Sequence, residues 1–327
     1  MHEYTAFGAR LSSALSFPEL EPWHPPGAGG PGWRLDVEEF PPPGMDGGLL
    51  LGEADYAGGA HMTLHRSGDT WQLGTSDAGS WRLNPAAGRM WWYRTSDARE
   101  AVARYDAIGR VMPLMLHATG HLSLHAAGVA VDGGGTVIVG PKGRGKSSLA
   151  LACVAAGARL AGDDVSIIRP GVQPMLHPGA PFVRLRADSA RALERAVPHE
   201  NAAGGSKVLV PPSAIGRRLL QPVPLRSIHL LEMSDATGAP VRRVRLPGPQ
   251  AALALVAQAT NARLLGRDGE RELLDRVSSL VSTVRVYAFY VARDLALVSH
   301  AARQLVKWVR EDSSRAPAVP SPVGTEA

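Results

Sequence analysis

Apolar and polar residues alternate with a period of two through residues 60–65, 70–73 and 89–94, with Gly and Asp/Ser turns between them. That is the pattern of half-buried strands. Upstream, residues 7–17 start as a strand and lead into residues 18–23, followed by a Pro/Gly-rich loop over 25–33. The period changes after Asp97, which reads as an N-cap with Glu100 completing a capping box. A helix follows through Ala101, Val102, Tyr105, Ile108, Val111 and Met112 towards Leu116, kinked at Pro113. Residues 121–125 and 128–131 return to strand, and a turn at 133–135 feeds the β-branched run 136–139. Residues 148–156 read as a helix ended by Gly157. The strand 159–168 is interrupted by two acids, and the chain is then Pro-rich to Pro181. Residues 182–185 turn apolar, 187–196 read as a helix, and a polar loop carries Lys207. A strand at 226–232, helices at 249–265 and 271–281, a strand at 285–290 and a helix from 295 to about 309 complete the pattern. The tail after Glu311 is rich in Pro, Ser and Ala and reads as disordered.

These periods divide the 327 residues into a mainly β region at 1–96, an α/β domain at 97–310 and a tail at 311–327. Tryptophans gather between Trp23 and Trp92, as an aromatic core or a binding face would require; core is the simpler reading. No run of eighteen apolar residues predicts a membrane helix. The N-terminus lacks the basic-then-apolar layout of a signal peptide. Cys153 is the single cysteine, so no internal disulfide or multi-cysteine zinc site is expected. Its helical position suggests packing. These features predict a cytoplasmic protein. The net charge of +5 comes from scattered arginines, with no basic tract interleaved with aromatics, so no nucleic-acid partner is expected. Arg217–Arg218 and Arg242–Arg243 read as solvated surface.

The densest chemistry lies at Gly140, Pro141, Lys142, Gly143, Arg144, Gly145, Lys146 and Ser147, which fits G-x-x-x-x-G-K-[ST]. A strand precedes it and a helix opening with Ser148 follows, the context a phosphate loop needs. Glycines let backbone N–H groups curl around an anion, and the helix N-terminus adds positive charge. Lys146 would reach the β- and γ-phosphates of a nucleotide, and Ser147 would hold Mg²⁺. Lysine occurs only at positions 142, 146, 207 and 307, so two of four lie in this loop. Asp163 and Asp164 supply two adjacent carboxylates. One can bind Mg²⁺ and the other can face an acceptor hydroxyl as a base. Neighbouring strand residues point to opposite faces, so both serve one site only if the chain bends, for which Gly162 is the candidate. His117, His121 and His125 recur at fours, but no nearby Glu completes a metal set, and a metal role is rejected.

The stretch 124–168, with His125, Gly140, Gly143, Gly145, Lys146, Ser147, Gly157, Arg159, Leu160, Asp163 and Asp164 in register, resembles the catalytic core of the HPr kinase/phosphorylase family. The opening residues 4–20 are also similar to the broader group of HPr-kinase-like proteins, some of which accompany ribosomal-peptide biosynthesis. The resemblance implies an α/β fold with a P-loop kinase domain of the HPr-kinase/phosphoenolpyruvate-carboxykinase type behind an N-terminal mainly β region. It also implies His125 beside the γ-phosphate, Asp163 and Asp164 as the acid/base and metal-linked pair, and Asp164 with Ser147 as metal ligands. The chain departs from that family at Pro141, Lys142 and Ser148. The Leu-Glu-Val-Arg-Gly and Pro-Val-x-x-Gly-Arg signatures are absent, which puts phosphorolysis and HPr itself as substrate in doubt. Arg184, Arg186 and Lys207 are candidates for the missing positive charge, Lys207 first because lysine is rare.

The expected function is an ATP- and Mg²⁺-dependent kinase acting on a serine of a protein or peptide, ribosomal-peptide precursors included. A kinase for a small hydroxylated molecule and a nucleotide-dependent peptide-binding module remain alternatives. The sequence leaves the choice of ATP over GTP and a homo-oligomer open.

Overall fold

A computed structural model describes residues 1–23, 32–39, 41–44, 48–56, 59–192, 207–234 and 241–314. The chain is mixed α/β, built on two large sheets. The first holds β1 (His2–Ala6), β2 (Ala9–Ser13), β3 (Glu21–Pro22), β4 (Trp33–Glu39), β5 (Leu49–Asp55), β6 (His61–Ser67), β7 (Thr70–Thr75), β8 (Gly79–Asn84) and β9 (Arg89–Arg94). Their order is β3-β1-β2-β4-β9-β8-β7-β6-β5. β5 to β9 form an antiparallel meander, and β4 pairs in parallel with β2 and β9. Met62, Leu64, Trp71, Leu73, Trp81, Leu83, Met90 and Trp92 share its buried face, so the period-two pattern places the aromatic cluster in the core.

The strand expected from residue 7 differs in detail. The chain reverses at Phe7 and Gly8, at φ of 51° and 74°, so a hairpin replaces one strand. Trp33 is strand rather than loop, and residues 24–31 of the Pro/Gly-rich segment lie outside the described residues. β4, β5 and β8 are further strands; β4 (Trp33, Leu35, Val37) and β8 (Trp81, Leu83) alternate apolar with polar residues. In β5 the register shifts between Leu50 and Gly52, which breaks the alternation.

Two helices, α1 (Glu100–Asp106) and α2 (Met112–Ala118), are joined by a wide turn with π-type bonding at Ala107–Val111. The expected capping box does not form: Arg99 stands at the N-cap without a side-chain bond, and Asp97 belongs to the preceding turn. Pro113 falls in the first turn of α2, where its missing N–H costs little, and the wide turn absorbs the break.

The second sheet follows in chain order. β10 (Leu122–Leu124), β11 (Ala126–Val131) and β12 (Gly134–Val139) lead to α3 (Lys146–Ala155), then β13 (Arg159–Gly162), β14 (Ser166–Arg169) and β15 (Met175–His177). β16 (Val183–Arg186), α4 (Ala187–Ala192), β17 (Lys207–Val210), the short α5 (Pro212–Ile215), β18 (Val223–Ser234), β19 (Arg242–Arg245), α6 (Gly248–Val256), α7 (Gly266–Thr283), β20 (Arg285–Ala292) and α8 (Val298–Ser314) follow, with β16 and β17 pairing only with each other as a separate two-stranded sheet. β12, β18 and β20 run parallel, with β11 antiparallel on the far side of β12. Every residue of β11 and β12 is buried, because α3 and α8 cover one face and α6 and α7 the other. The hairpin between them turns at Asp132–Gly133, both at positive φ, one step earlier than expected; Gly134 already belongs to β12.

Other expectations are corrected. The helix expected at 249–265 stops at Val256, and residues 258–260 bond instead to 123–125 (His125 N–H to the Gln258 carbonyl, Thr260 N–H to the Ser123 carbonyl). Beyond them Asn261 adopts φ 59° and its amide donates to the Arg110 carbonyl at 2.9 Å. Lys207 opens β17 instead of lying in a loop, with Arg186 opposite it in register. Arg243 is not solvated: it donates to the buried Asp312 at 2.6 and 3.1 Å, over the rings of Tyr287 and Trp308. Arg218 is paired with Glu21. Asp312 thus ties down the end of α8, which continues to Ser314 where a disordered tail was expected; residues 315–327 lie outside the described residues, as does the part of the 187–196 helix beyond Ala192. Among the described residues no helix is long and apolar enough to cross a membrane.

Candidate active site

Strand β12 delivers the chain into loop 140–147, and α3 begins inside the motif at Lys146. Gly145, at the N-cap, has φ 85° and ψ 14°, a left-handed conformation in which a side chain would be strained. No side chain caps α3, so its first-turn N–H groups and its positive end are left for an external anion. Lys146 is buried, and its ammonium donates to the carbonyls of Gly140 at 2.7 Å and Pro141 at 3.2 Å. Burial draws its pKa down to about 8, although the charges of Asp163 and Asp164 oppose the shift.

The paired acids sit in the break between β13 and β14. Gly162 packs so tightly that an added Cβ would lie 3.1 Å from the Gly179 Cα. The reversal itself is made by Asp164, at φ 64°, a conformation that aspartate tolerates better than most residues. That single left-handed residue lets both carboxylates line one cavity with His125, Lys146 and Ser147. Gly162 supplies close packing rather than the expected bend. Asp163 is buried, and its Oδ2 accepts from the Arg184 backbone N–H at 3.0 Å. Burial, reinforced by the neighbouring Asp164 charge, pushes its pKa up; the Arg184 amide and the Ser147 hydroxyl oppose this.

His125 follows β10, where its N–H donates to the Gln258 carbonyl at 2.7 Å. Its Nδ1 lies 3.1 Å from the Asp164 carbonyl oxygen. A carbonyl only accepts, so the proton is on Nδ1 and Nε2 keeps its lone pair in the neutral ring. Burial, followed by the Lys146 charge, lowers the His125 pKa against the pull of Asp164.

Arg184 on β16 and Lys207 on β17 each approach an Asp164 carboxylate oxygen to 3.9 Å, beyond hydrogen-bond reach. With Lys142, Lys146 and Arg186 they set five cations against two carboxylates around a cavity of about 70 Å³. A second cavity of about 490 Å³ opens from the same loop and shares Gly143, Gly145, Ser148, Arg186 and Ser189 with the first. Its walls are largely apolar, with Leu149, Leu231, Met233, Val291, Val298 and Ala301 among them. A charged recess joined to a roomy apolar one suits a ligand with a polyanionic end and a flat, less polar end.

The structure therefore gathers His125, Lys142, Gly143, Gly145, Lys146, Ser147, Ser148, Asp163 and Asp164 around one recess, while Arg144 lines only the larger cavity. Gly140 and Pro141 line neither; their carbonyls hold Lys146 instead. Sequence reasoning missed the Arg184 backbone amide, and nothing local in residues 182–185 signals it. It also missed the apolar wall, which is assembled from α3, β18, β20 and α8. The scarcity of lysine was the one signal that reached Lys207.

No family model matches this chain. No curated protein matches it. Among solved structures, the HPr(Ser) kinase/phosphatase from Coxiella burnetii is similar at 13% identity, over 59% of this chain and 98% of that one, with a TM-score of 0.34.

Proposed function

We propose that this chain is an ATP- and Mg²⁺-dependent kinase that transfers the γ-phosphate to a serine hydroxyl of a protein or peptide. The observation that carries the reading is the convergence of a glycine loop, a buried lysine and two adjacent carboxylates on one recess. In this reading the loop N–H groups and Lys146 hold the phosphates, and the 490 Å³ cavity takes the nucleoside. Among the described residues no three His, Cys, Asp or Glu side chains cluster as a metal site. Ser147 and Asp164, which line the recess together, fit Mg²⁺, which is commonly bound through one or two protein oxygens and substrate phosphates, and would hold it. When bound, the ion neutralises charge on the transferring phosphoryl group.

Asp163 is the better base of the pair. Its raised pKa lies closer to the working pH than that of an ordinary carboxylate, which favours proton transfer. The serine oxygen attacks phosphorus in line and its proton passes to Asp163. The bond to the β–γ bridging oxygen breaks and ADP departs. Neutral His125 fixes the Asp164 backbone through its Nδ1–H. Residues 97–310 form the catalytic domain in this scheme, and residues 1–96 recruit the acceptor.

The test is incubation with Mg²⁺ and γ-labelled ATP in the presence of candidate peptides, followed by mass analysis. Phosphoserine in a peptide supports the proposal. Label found only in a small hydroxylated compound moves the acceptor class, and nucleotide binding without transfer or hydrolysis leaves a binding module.

A further inference from the structure

Arg184 is held in an unusual way. Its guanidinium lies 4.5 Å from the Tyr105 ring centroid and 5.2 Å from that of Phe182. Among the described residues it makes no side-chain hydrogen bond, and its nearest carboxylate oxygen, on Asp164, is 3.9 Å away. The side chain is 20% exposed, so several N–H donors stand at the edge of the recess without an acceptor among the described residues. Aromatic faces fix a guanidinium in place without consuming its N–H groups. Meanwhile the Arg184 backbone amide is bound to Asp163, which locks the base of the side chain to the other acid.

Tyr105 is itself held from behind. Arg110 lies 5.3 Å from its ring and 5.1 Å from that of Tyr56, and pairs with the buried Asp106. Arg110 belongs to the wide turn between α1 and α2, and its carbonyl is anchored by Asn261. A stack of alternating rings and guanidinium groups thus runs from Tyr56, beside the first sheet, to the recess. Burial, with the Asp164 charge, pushes the Tyr105 phenol pKa up, so its hydroxyl stays protonated and is no base.

We propose that the Tyr105 ring is a positioning residue that holds Arg184, with its donors free, against the transferring phosphoryl group. This rests on the kinase reading. Arg184 would then contribute as a fixed cation at the charge that develops during transfer, and Tyr105 acts only through it.

The experiment measures phosphate release from γ-labelled ATP with Mg²⁺, water serving as acceptor, for the full chain and its variants. Arg184→Ala should lower kcat about 100-fold with KM for ATP changed little. Tyr105→Leu should lower kcat about 10-fold, and Tyr105→Phe, which keeps the ring, should restore the rate. Added guanidinium ion should partly rescue Arg184→Ala but not the Tyr105→Leu/Arg184→Ala pair. Thermal melts identify any variant that fails to fold, and Tyr105→Phe with the guanidinium rescue then still decides. A Tyr105→Leu enzyme with wild-type kcat, a Tyr105→Phe enzyme as impaired as Tyr105→Leu, or equal rescue of both backgrounds overturns the inference alone. A wild-type chain that binds ATP but neither hydrolyses nor transfers it overturns the kinase reading and this inference with it.

Discussion

Replacing Lys146 with methionine separates what the recess does for a ligand from what it costs the fold. The buried ammonium has its pKa drawn from 10.5 to about 8, first by burial. A base whose folded pKa is depressed destabilises the fold while it is charged, so the cost is present in full below about pH 8 and fades as pH rises from there towards 10.5. At ~1.4 kcal/mol per pH unit the gap corresponds to about 3 kcal/mol. Methionine removes that cost but leaves the carbonyls of Gly140 and Pro141 without their donor, a loss of about 0.5–1.5 kcal/mol each. Set against a total loss of about 1–3 kcal/mol, the removed cost leaves Lys146→Met the more stable protein at pH 7 by up to roughly 2 kcal/mol, a rise of up to about 4–8 °C in Tm. Calorimetric melts of both proteins at pH 7 and pH 10 measure this. The balance should favour the variant at pH 7 and move towards the wild type at pH 10, where most of the charge cost is gone but the missing donor still counts. The variant should also lack the upward Tm shift expected of the wild type with Mg-ATP. A variant less stable than wild type at pH 7, or an equal gap at both pH values, refutes the reasoning.

Ala301→Phe puts a ring into the 490 Å³ cavity and should weaken ATP binding about tenfold in titration calorimetry, while binding of inorganic triphosphate stays the same. Asp312→Ala leaves the Arg243 guanidinium buried without its carboxylate and should cost about 3–5 kcal/mol in urea unfolding. The raised pKa of Asp163 predicts that kcat falls with pH on an acid limb lying above the ordinary carboxylate range, because the base must be ionised to accept the proton. A limb at the ordinary carboxylate value would transfer the role to another group.

Local signals make much of this molecule legible in its sequence. The β-branched run before Gly140, the glycine spacing and the Ala/Leu-rich segment after Ser147 each constrain only neighbouring residues, and they locate β12, the loop and α3. Alternation likewise located β6, β7 and β9. What the sequence hid depends on residues far apart in the chain. Asp97 has the composition of a cap, yet the turn after β9 places Arg99 there instead. Arg243 looks like surface until α8 brings Asp312 over it, and Arg184 looks like surface until Tyr105 and Asp163 close around it. The two carboxylates were visible as a pair, but their shared direction depends on the backbone angle at Asp164, which composition does not reveal.

The central claim is that Asp163 and Asp164 perform phosphoryl transfer at a nucleotide held by loop 140–147. Its most direct test is transfer from γ-labelled ATP by Asp163→Asn and Asp164→Asn proteins, with ATP affinity measured on the same samples. The account predicts that transfer falls at least about 100-fold in each variant while nucleotide binding is largely kept. Two variants that both transfer phosphate at the wild-type rate would contradict it.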